Sequence, residues 1–170
     1  MSLSTSGSIQ GRPSGRCARN ATRIWSACPL RRGPDTRRSV VVLDASALIE
    51  VLLHPSSQPY VESLVASRTM YAPELLDAEV LSRLVKEQKR GALTGERMGR
   101  AIARLLSAPV TRVPHGHLLH DAWQRSSALS AYDALYVALA AHLGVGLVTA
   151  DRRLANAPKL GVPVTLISTN

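Results

Sequence analysis

From Ser39 onward the chain alternates short β-branched runs with stretches of helical spacing. Val40-Val41-Val42-Leu43 is the kind of run that makes a strand buried on both faces, and it ends on Asp44. Helical spacing follows over Ala45 to Leu53 and over Gln58 to Ser67, and Thr69 to Ala72 reads as a second strand before Pro73. Across Leu75 to Arg90 the apolar Leu76, Val80 and Leu84 recur with a period near 3.6 until Gly91, so Glu79 lies inside a helix. Thr94 to Leu106 reads as another helix, with Thr94 as N-cap and Met98, Ile102 and Leu105 on one face. Val110 to Val113 is a third strand, His117 to Leu129 and Tyr132 to Leu143 two more helices, and Gly146 to Ala150 a fourth strand. A short turn over Arg152 to Ala155 and a strand over Val162 to Ile167 close the chain.

Strands alternating with helices predict an α/β sandwich, a central and mostly parallel sheet flanked by helices, over residues 39–170. Residues 1–38 are different: they are rich in Ser, Gly, Arg and Pro, with no apolar periodicity. Such a composition cannot bury enough surface to offset the entropy of ordering, so a disordered basic extension is expected there. It reads either as an arm that tethers RNA or as a dispensable extension preceding a translation start near Val40, and charged-tail composition favours the second. The leader is also poor in acids like a transit peptide, though nothing else points to an organelle.

The 170 residues and 45% apolar content suit one compact domain with a single core. No run of about eighteen apolar residues occurs, and the N-terminus lacks an apolar block with a cleavage site, so a cytoplasmic protein without a membrane span is expected. Cys17 and Cys28 both lie in the extension, without partners at metal-ligand spacing, and read as reduced and incidental. The net charge of +9 is mostly that of the extension, where eight arginines face Asp35 alone. The remaining domain is nearly neutral, a mild indication of an anionic partner such as RNA.

In a parallel α/β sheet, ligands bind in the crevice beyond the carboxyl ends of the strands. Asp44 and Asp151 each follow a strand directly, so both carboxylates should emerge on one rim. Taken singly, each is as well explained as a helix cap, and Asp133, three residues after Ser130, fits a capping box. Glu79 could extend to solvent from its helix. The joint pattern is more informative: a strand-end Asp, a mid-helix Glu, a helix-start Asp and a second strand-end Asp, in a domain with little net charge. Capping does not account for Glu79. Clustered carboxylates repel and raise one another's pKa, a penalty that a bound divalent cation removes. All the donors are hard oxygens, which suits Mg²⁺, with Mn²⁺ as the alternative ion. Phosphodiester hydrolysis is the reaction that such a site fits best.

Four stretches also resemble the PIN-domain family, and within it the bacterial VapC-type toxins. They are Val-Val-Val-Leu-Asp44-Ala-Ser46-Ala-Leu, Ala72-Pro-Glu-Leu-Leu-Asp-Ala-Glu79-Val, Ser130-Ala-Tyr-Asp133-Ala-Leu-Tyr-Val-Ala-Leu-Ala and Leu147-Val-Thr149-Ala-Asp151-Arg-Arg-Leu154. The resemblance spans residues 40 to 168, and the four ordered blocks make it specific where Asp-x-Ser alone would be weak. It implies a PIN-like sandwich and magnesium-dependent endoribonuclease activity, with Asp44 and Asp133 as the principal metal ligands and Glu79 and Asp151 completing the acidic cluster. It also implies homodimers and a cognate antitoxin that covers the groove. Ser46 and Thr149 would support the cluster by hydrogen bonding, with capping an equal explanation for Ser46. Asp77 stands two positions from Glu79, so the two point to different sides of the helix and only Glu79 is assigned to the site.

Other features carry less. His115-x-His117-x-x-His120 lacks a fourth ligand at zinc-finger spacing. Arg112, Arg125, Arg152 and Arg153 are candidate contacts to RNA phosphates, the last two best placed because they flank Asp151. Tyr132 and Tyr136 lie one helical turn apart, where core or dimer packing is the usual reason for aromatics. Receiver domains and Asp-nucleophile phosphatases also place an Asp after the first strand. Receivers need an acidic pair before that strand and a late Lys, and the phosphatases need an Asp where this chain has Ser46. A non-catalytic RNA- or protein-binding domain is the remaining alternative, and it would be favoured by loss of an acid; all the acidic positions are filled.

Overall fold

A computed structural model of the chain describes residues 39–54, 63 and 68–167. The extension expected over 1–38, with both cysteines, lies outside the described residues, as does the helix expected over 58–67 apart from Ser63. The elements are β1 (Ser39–Leu43), α1 (Ala45–Leu53), β2 (Arg68–Pro73), α2 (Leu75–Lys89), α3 (Gly95–Ser107), β3 (Val110–Val113), a 3₁₀ turn (Gly116–Leu118), α4 (Leu119–Arg125), α5 (Ala131–Leu143), β4 (Gly146–Thr149), α6 (Arg152–Ala155) and β5 (Val164–Leu166).

The five strands form one sheet in the order β3-β2-β1-β4-β5, and every pairing is parallel. The chain therefore steps outward from β1 to β3, then returns through α5 to lay β4 against the other side of β1. That reversal opens a crevice beyond the carboxyl ends of β1 and β4, the place where open parallel sheets bind ligands. Asp44 continues the ladder there, its N–H donating to the Val148 carbonyl at 2.9 Å.

Helix α5 is the central core element. Every residue from Ala134 to Ala140 is buried, as expected of a helix apolar on all sides, and it packs on β1, β2 and β4. Gly144, at φ +66°, ends the helix in the left-handed conformation that glycine adopts without a Cβ penalty, and β4 follows two residues later. Helices α1, α2 and α3 pack on one another, and α4 packs on α5.

Two elements differ from the expectation. The helix expected over His117 to Leu129 splits into the 3₁₀ turn and a short α4, because Ser126 caps Trp123, its N–H and Oγ both donating to that carbonyl at 3.1 and 2.6 Å. The last strand begins at Val164 rather than Val162, since Pro163 has no N–H for the ladder. No helix among the described residues is long and apolar enough to cross a membrane.

Candidate active site

Asp44 is the N-cap of α1 and is only 5% exposed. Its Oδ2 accepts from the Thr149 hydroxyl at 2.8 Å, from the Ser46 hydroxyl in a short bond, and from the Ser46 N–H at 3.3 Å. All three donors reach one carboxylate oxygen, which leaves Oδ1 for other partners. Both hydroxyls have further duties: Ser46 Oγ accepts from the Ala150 N–H at 2.9 Å, and Thr149 Oγ1 from the Asp151 N–H at 3.0 Å. The hydroxyls lie 3.1 Å apart, but each has a single proton and both protons serve Asp44. The supporting roles expected of Ser46 and Thr149 thus appear as one network tying the start of α1 to the end of β4.

Asp133 stands at the third position of α5, its N–H donating to Ser130 Oγ at 3.1 Å. Capping by Ser130 fixes the helix start that carries Asp133. Glu79 comes from the middle of α2 and accepts from the Tyr136 hydroxyl at 2.7 Å.

The carboxylates act on one another. Burial pushes Asp44 above the usual carboxylate range against the opposing hydrogen bonds from Ser46 and Thr149, and the charge of Asp133 pushes it further. Glu79 is also raised, first by burial and then by the charges of Asp44 and Asp133, with the Tyr136 bond opposing. The Tyr136 hydroxyl is itself driven up by burial and by Glu79, so it stays protonated and acts as a donor. The charge of Asp133 thus acts on both Asp44 and Glu79, and that of Asp44 on Glu79.

Asp151 is at the same rim but engaged with its own helix. It caps α6, with Oδ1 accepting from the Arg153 N–H at 2.7 Å, and pairs with the Arg153 guanidinium at 3.5 Å. Its charge is not among those pressing on Asp44 or Glu79. Among the described residues no three His, Cys, Asp or Glu side chains are grouped closely enough to hold a metal ion between them.

The bond from Tyr136 to Glu79 was not foreseen from the sequence. The core reading of its ring is right, for the residue is fully buried, but its hydroxyl reaches Glu79. The only signal was an aromatic with a polar tip in an otherwise apolar helix, one turn after Asp133.

The arginines divide. Arg112 is a structural latch, donating to Asp77 and to the carbonyls of Leu105, Ala108 and Val110. Arg125 is bound to Asp121 and to the Leu160 carbonyl. Neither is placed as an RNA contact. Arg152 and Arg153 are exposed, and Arg153 shares a depression of about 250 Å³ with Asp133. Of the histidines, His117 packs edge-on against His142 and lies near His115, while His120 packs against Trp123.

The profile of the PIN domain matches residues 41–160. Ribonuclease VapC3 of Mycobacterium tuberculosis is 42% identical over 129 residues, covering 75% of this chain and 94% of that protein. A VapC ribonuclease of Mycobacterium bovis is 37% identical over 131 residues, covering 75% and 98%. Among solved structures, PAE2754 from Pyrobaculum aerophilum superimposes with a TM-score of 0.54 at 27% identity, over 75% of this chain and 91% of that one. VapBC2 from Rickettsia felis, solved with a DNA fragment from its promoter, has a TM-score of 0.52 at 15% identity, over 75% and 98%, and shares the fold. With a parallel five-stranded sheet, an acidic crevice at its switch point and these relatives, the chain belongs to the PIN-domain family.

Proposed function

We propose that this chain is a divalent-metal-dependent endoribonuclease, the toxin of a toxin–antitoxin pair, which hydrolyses RNA phosphodiester bonds at the acidic crevice beyond β1 and β4. The observation that carries this reading is the carboxylate of Asp44, buried against its own solvation and pressed by Asp133. Burial and the neighbouring charge disfavour the ionised form despite the bonds from Ser46 and Thr149, a cost that a bound cation offsets. Relatives named as ribonucleases at 37% and 42% identity support the substrate class.

The donor set fits a hard cation, since it consists of carboxylate oxygens with hydroxyls behind them. That no three acids converge on one point is compatible with Mg²⁺, which takes one or two protein carboxylates and completes its shell with waters and substrate phosphate. Asp44 and Asp133 would hold the ion, with Glu79 and Asp151 completing the acidic rim. Bound there, Mg²⁺ or Mn²⁺ would supply the Lewis acid that polarises the phosphodiester and acidifies water. The chain's own contribution is orientation. Ser46 and Thr149 hold Oδ2 of Asp44 in place, and Tyr136 fixes Glu79. Arg153, beside Asp133, is suited to an RNA phosphate, and Arg152 stands next to it.

The family relationship further suggests a cytoplasmic homodimer held inactive by a cognate antitoxin protein; a short upstream reading frame encoding a DNA-binding protein is the genomic check. The direct test is RNA cleavage and growth arrest by Asp44→Asn and Asp133→Asn. Both variants should fold and lose metal-dependent cleavage, and undiminished cleavage by both would overturn the mechanism.

A further inference from the structure

Helix α2 carries a second feature that the acidic site does not use. Glu79, Ser82, Arg83 and Lys86 recur at i, i+3, i+4 and i+7, so they form one stripe that runs about 10 Å along the helix away from the crevice. Together with Ala78 and Tyr132 they line a groove of about 340 Å³. Tyr132 is 61% exposed, which excludes the core as the reason for its ring. The groove meets the acidic site through Glu79, which belongs to both, and Tyr132 directly precedes Asp133 on α5.

We infer that this groove binds single-stranded RNA beside the bond to be cut, with one base stacked on Tyr132 and the adjoining backbone phosphates on Arg83 and Lys86; the inference rests on the ribonuclease reading above. Charge favours this occupant. A polyanion must approach a cluster of carboxylates, and cations at the edge of that cluster supply the local attraction. Lys86 is exposed, and Arg83 pairs at 2.9 Å with Glu87, a mostly buried carboxylate that Arg90 also reaches at 3.5 Å, so Arg83 can turn to a phosphate while Arg90 keeps Glu87 paired. Ala78 and Ser82 are small, so the wall between the carboxylate and the cations is low. An exposed tyrosine ring next to cations is the combination by which proteins hold unpaired bases without reading their sequence, because every base has a π-face. The groove thus accounts for binding of an unpaired strand, and any base preference would arise elsewhere.

The test uses the full chain bearing Asp133→Asn, so that RNA stays intact, and fluorescence anisotropy of a short labelled single-stranded RNA in Mg²⁺. Adding Tyr132→Ala should weaken binding about ten-fold, while Tyr132→Phe, which keeps the stacking face, should bind like the parent. Adding Arg83→Ala with Lys86→Ala should reduce the slope of log affinity against log salt by about 1.4, at about 0.7 for each phosphate contact on a single strand. Unchanged affinity in Tyr132→Ala would overturn the inference. So would a loss of affinity that tracks a change in oligomeric state by sedimentation, which would assign the ring to a protein interface. Cleavage by the chain with Asp133 intact is measured in parallel. Cleavage without dependence on Tyr132 overturns the groove alone; Tyr132-dependent binding without any cleavage overturns the ribonuclease reading and keeps the groove; neither binding nor cleavage overturns both.

Discussion

The hydroxyl of Tyr136 donates to Glu79 Oε2 at 2.7 Å, joining the buried helix α5 to the middle of α2. Glu79 sits on a helix face that would otherwise let it swing, and this bond holds it toward Asp44 and Asp133. Tyr136→Phe keeps the ring packed and removes only the donor. Loss of such a supporting bond commonly lowers metal affinity or activity about 10- to 100-fold. The expected result is a Mg²⁺ requirement for RNA cleavage raised about ten-fold, with stability reduced by about 1–2 kcal/mol, read by metal titration and thermal melting.

Asp44→Asn should abolish cleavage and yet stabilise the metal-free protein. The amide oxygen can still accept from Ser46 and Thr149, while the buried charge is gone. The pH dependence follows from the direction of the shifts. Burial raises both Asp44 and Glu79, so the folded state holds their protons more tightly than the unfolded chain does. Their contribution to stability is full below the ordinary carboxylate range and is lost as pH rises through the raised folded-state values. Metal-free protein should therefore melt at higher temperature on mild acidification from neutrality, with a weaker trend in Asp44→Asn. Each kcal/mol recovered moves Tm by about 2–8 °C. Melting curves in chelator across that range check both points.

Thr149 is fully buried, and its hydroxyl serves two partners, donating to Asp44 and accepting from the Asp151 N–H. Thr149→Val preserves the shape, takes one of the three donors from Asp44 Oδ2 and removes the acceptor of the Asp151 N–H. We expect a loss of about 2 kcal/mol in stability together with most of the cleavage activity, and recovery of both in Thr149→Ser. Denaturant unfolding and cleavage rates on the same three proteins separate this from a simple packing defect, which Ser, the smaller residue, would worsen.

Arg112 should matter for stability and not for catalysis. Its guanidinium closes the end of α3 onto β3 through three carbonyls and pairs with Asp77 at 3.0 Å. Arg112→Ala leaves Asp77 without its partner and takes the second donor from the Leu105 and Ala108 carbonyls, which keep their backbone N–H bonds; it should cost about 2 kcal/mol, and Arg112→Lys should not restore it, because an ammonium cannot reproduce the planar fork. The cleavage rate well below the melting temperature should be unchanged.

Asp151→Asn separates the two duties of that side chain. Asparagine caps helices as well as aspartate does, so α6 should persist and stability should change little. Cleavage should fall, though less than in Asp133→Asn, because Asp151 lies outside the coupled set formed by Asp44, Glu79 and Asp133. Melting and cleavage rates of the two variants side by side give the comparison.

Much of this was legible in the chain itself. The β-branched run before Asp44, the 3.6-residue spacing around Glu79 and the Ser130 cap before Asp133 are local signals, because strand burial, helix periodicity and capping act over a few residues. They sufficed for the α/β class and the parallel sheet, and they set each of the four acids on the element expected for it. Where a local signal was weak, at the ends of α4 and β5, a serine capping back onto Trp123 and a proline without a donor set the boundary.

Which side chains share an environment is a different kind of information. The order β3-β2-β1-β4-β5 puts β4 beside β1, and only that adjacency lets Thr149 and Ser46, 103 residues apart, serve the same carboxylate. The same packing made Tyr136 a partner of Glu79, engaged Arg112 and Arg125 in structural bonds, and set Asp151 outside the coupled trio. The sequence by itself determined the elements and the acids they carry, because propensity and periodicity are read along the chain. The tertiary structure alone decided how those acids are supported and which of them sense one another, because desolvation and Coulomb interaction depend on distance and burial through space.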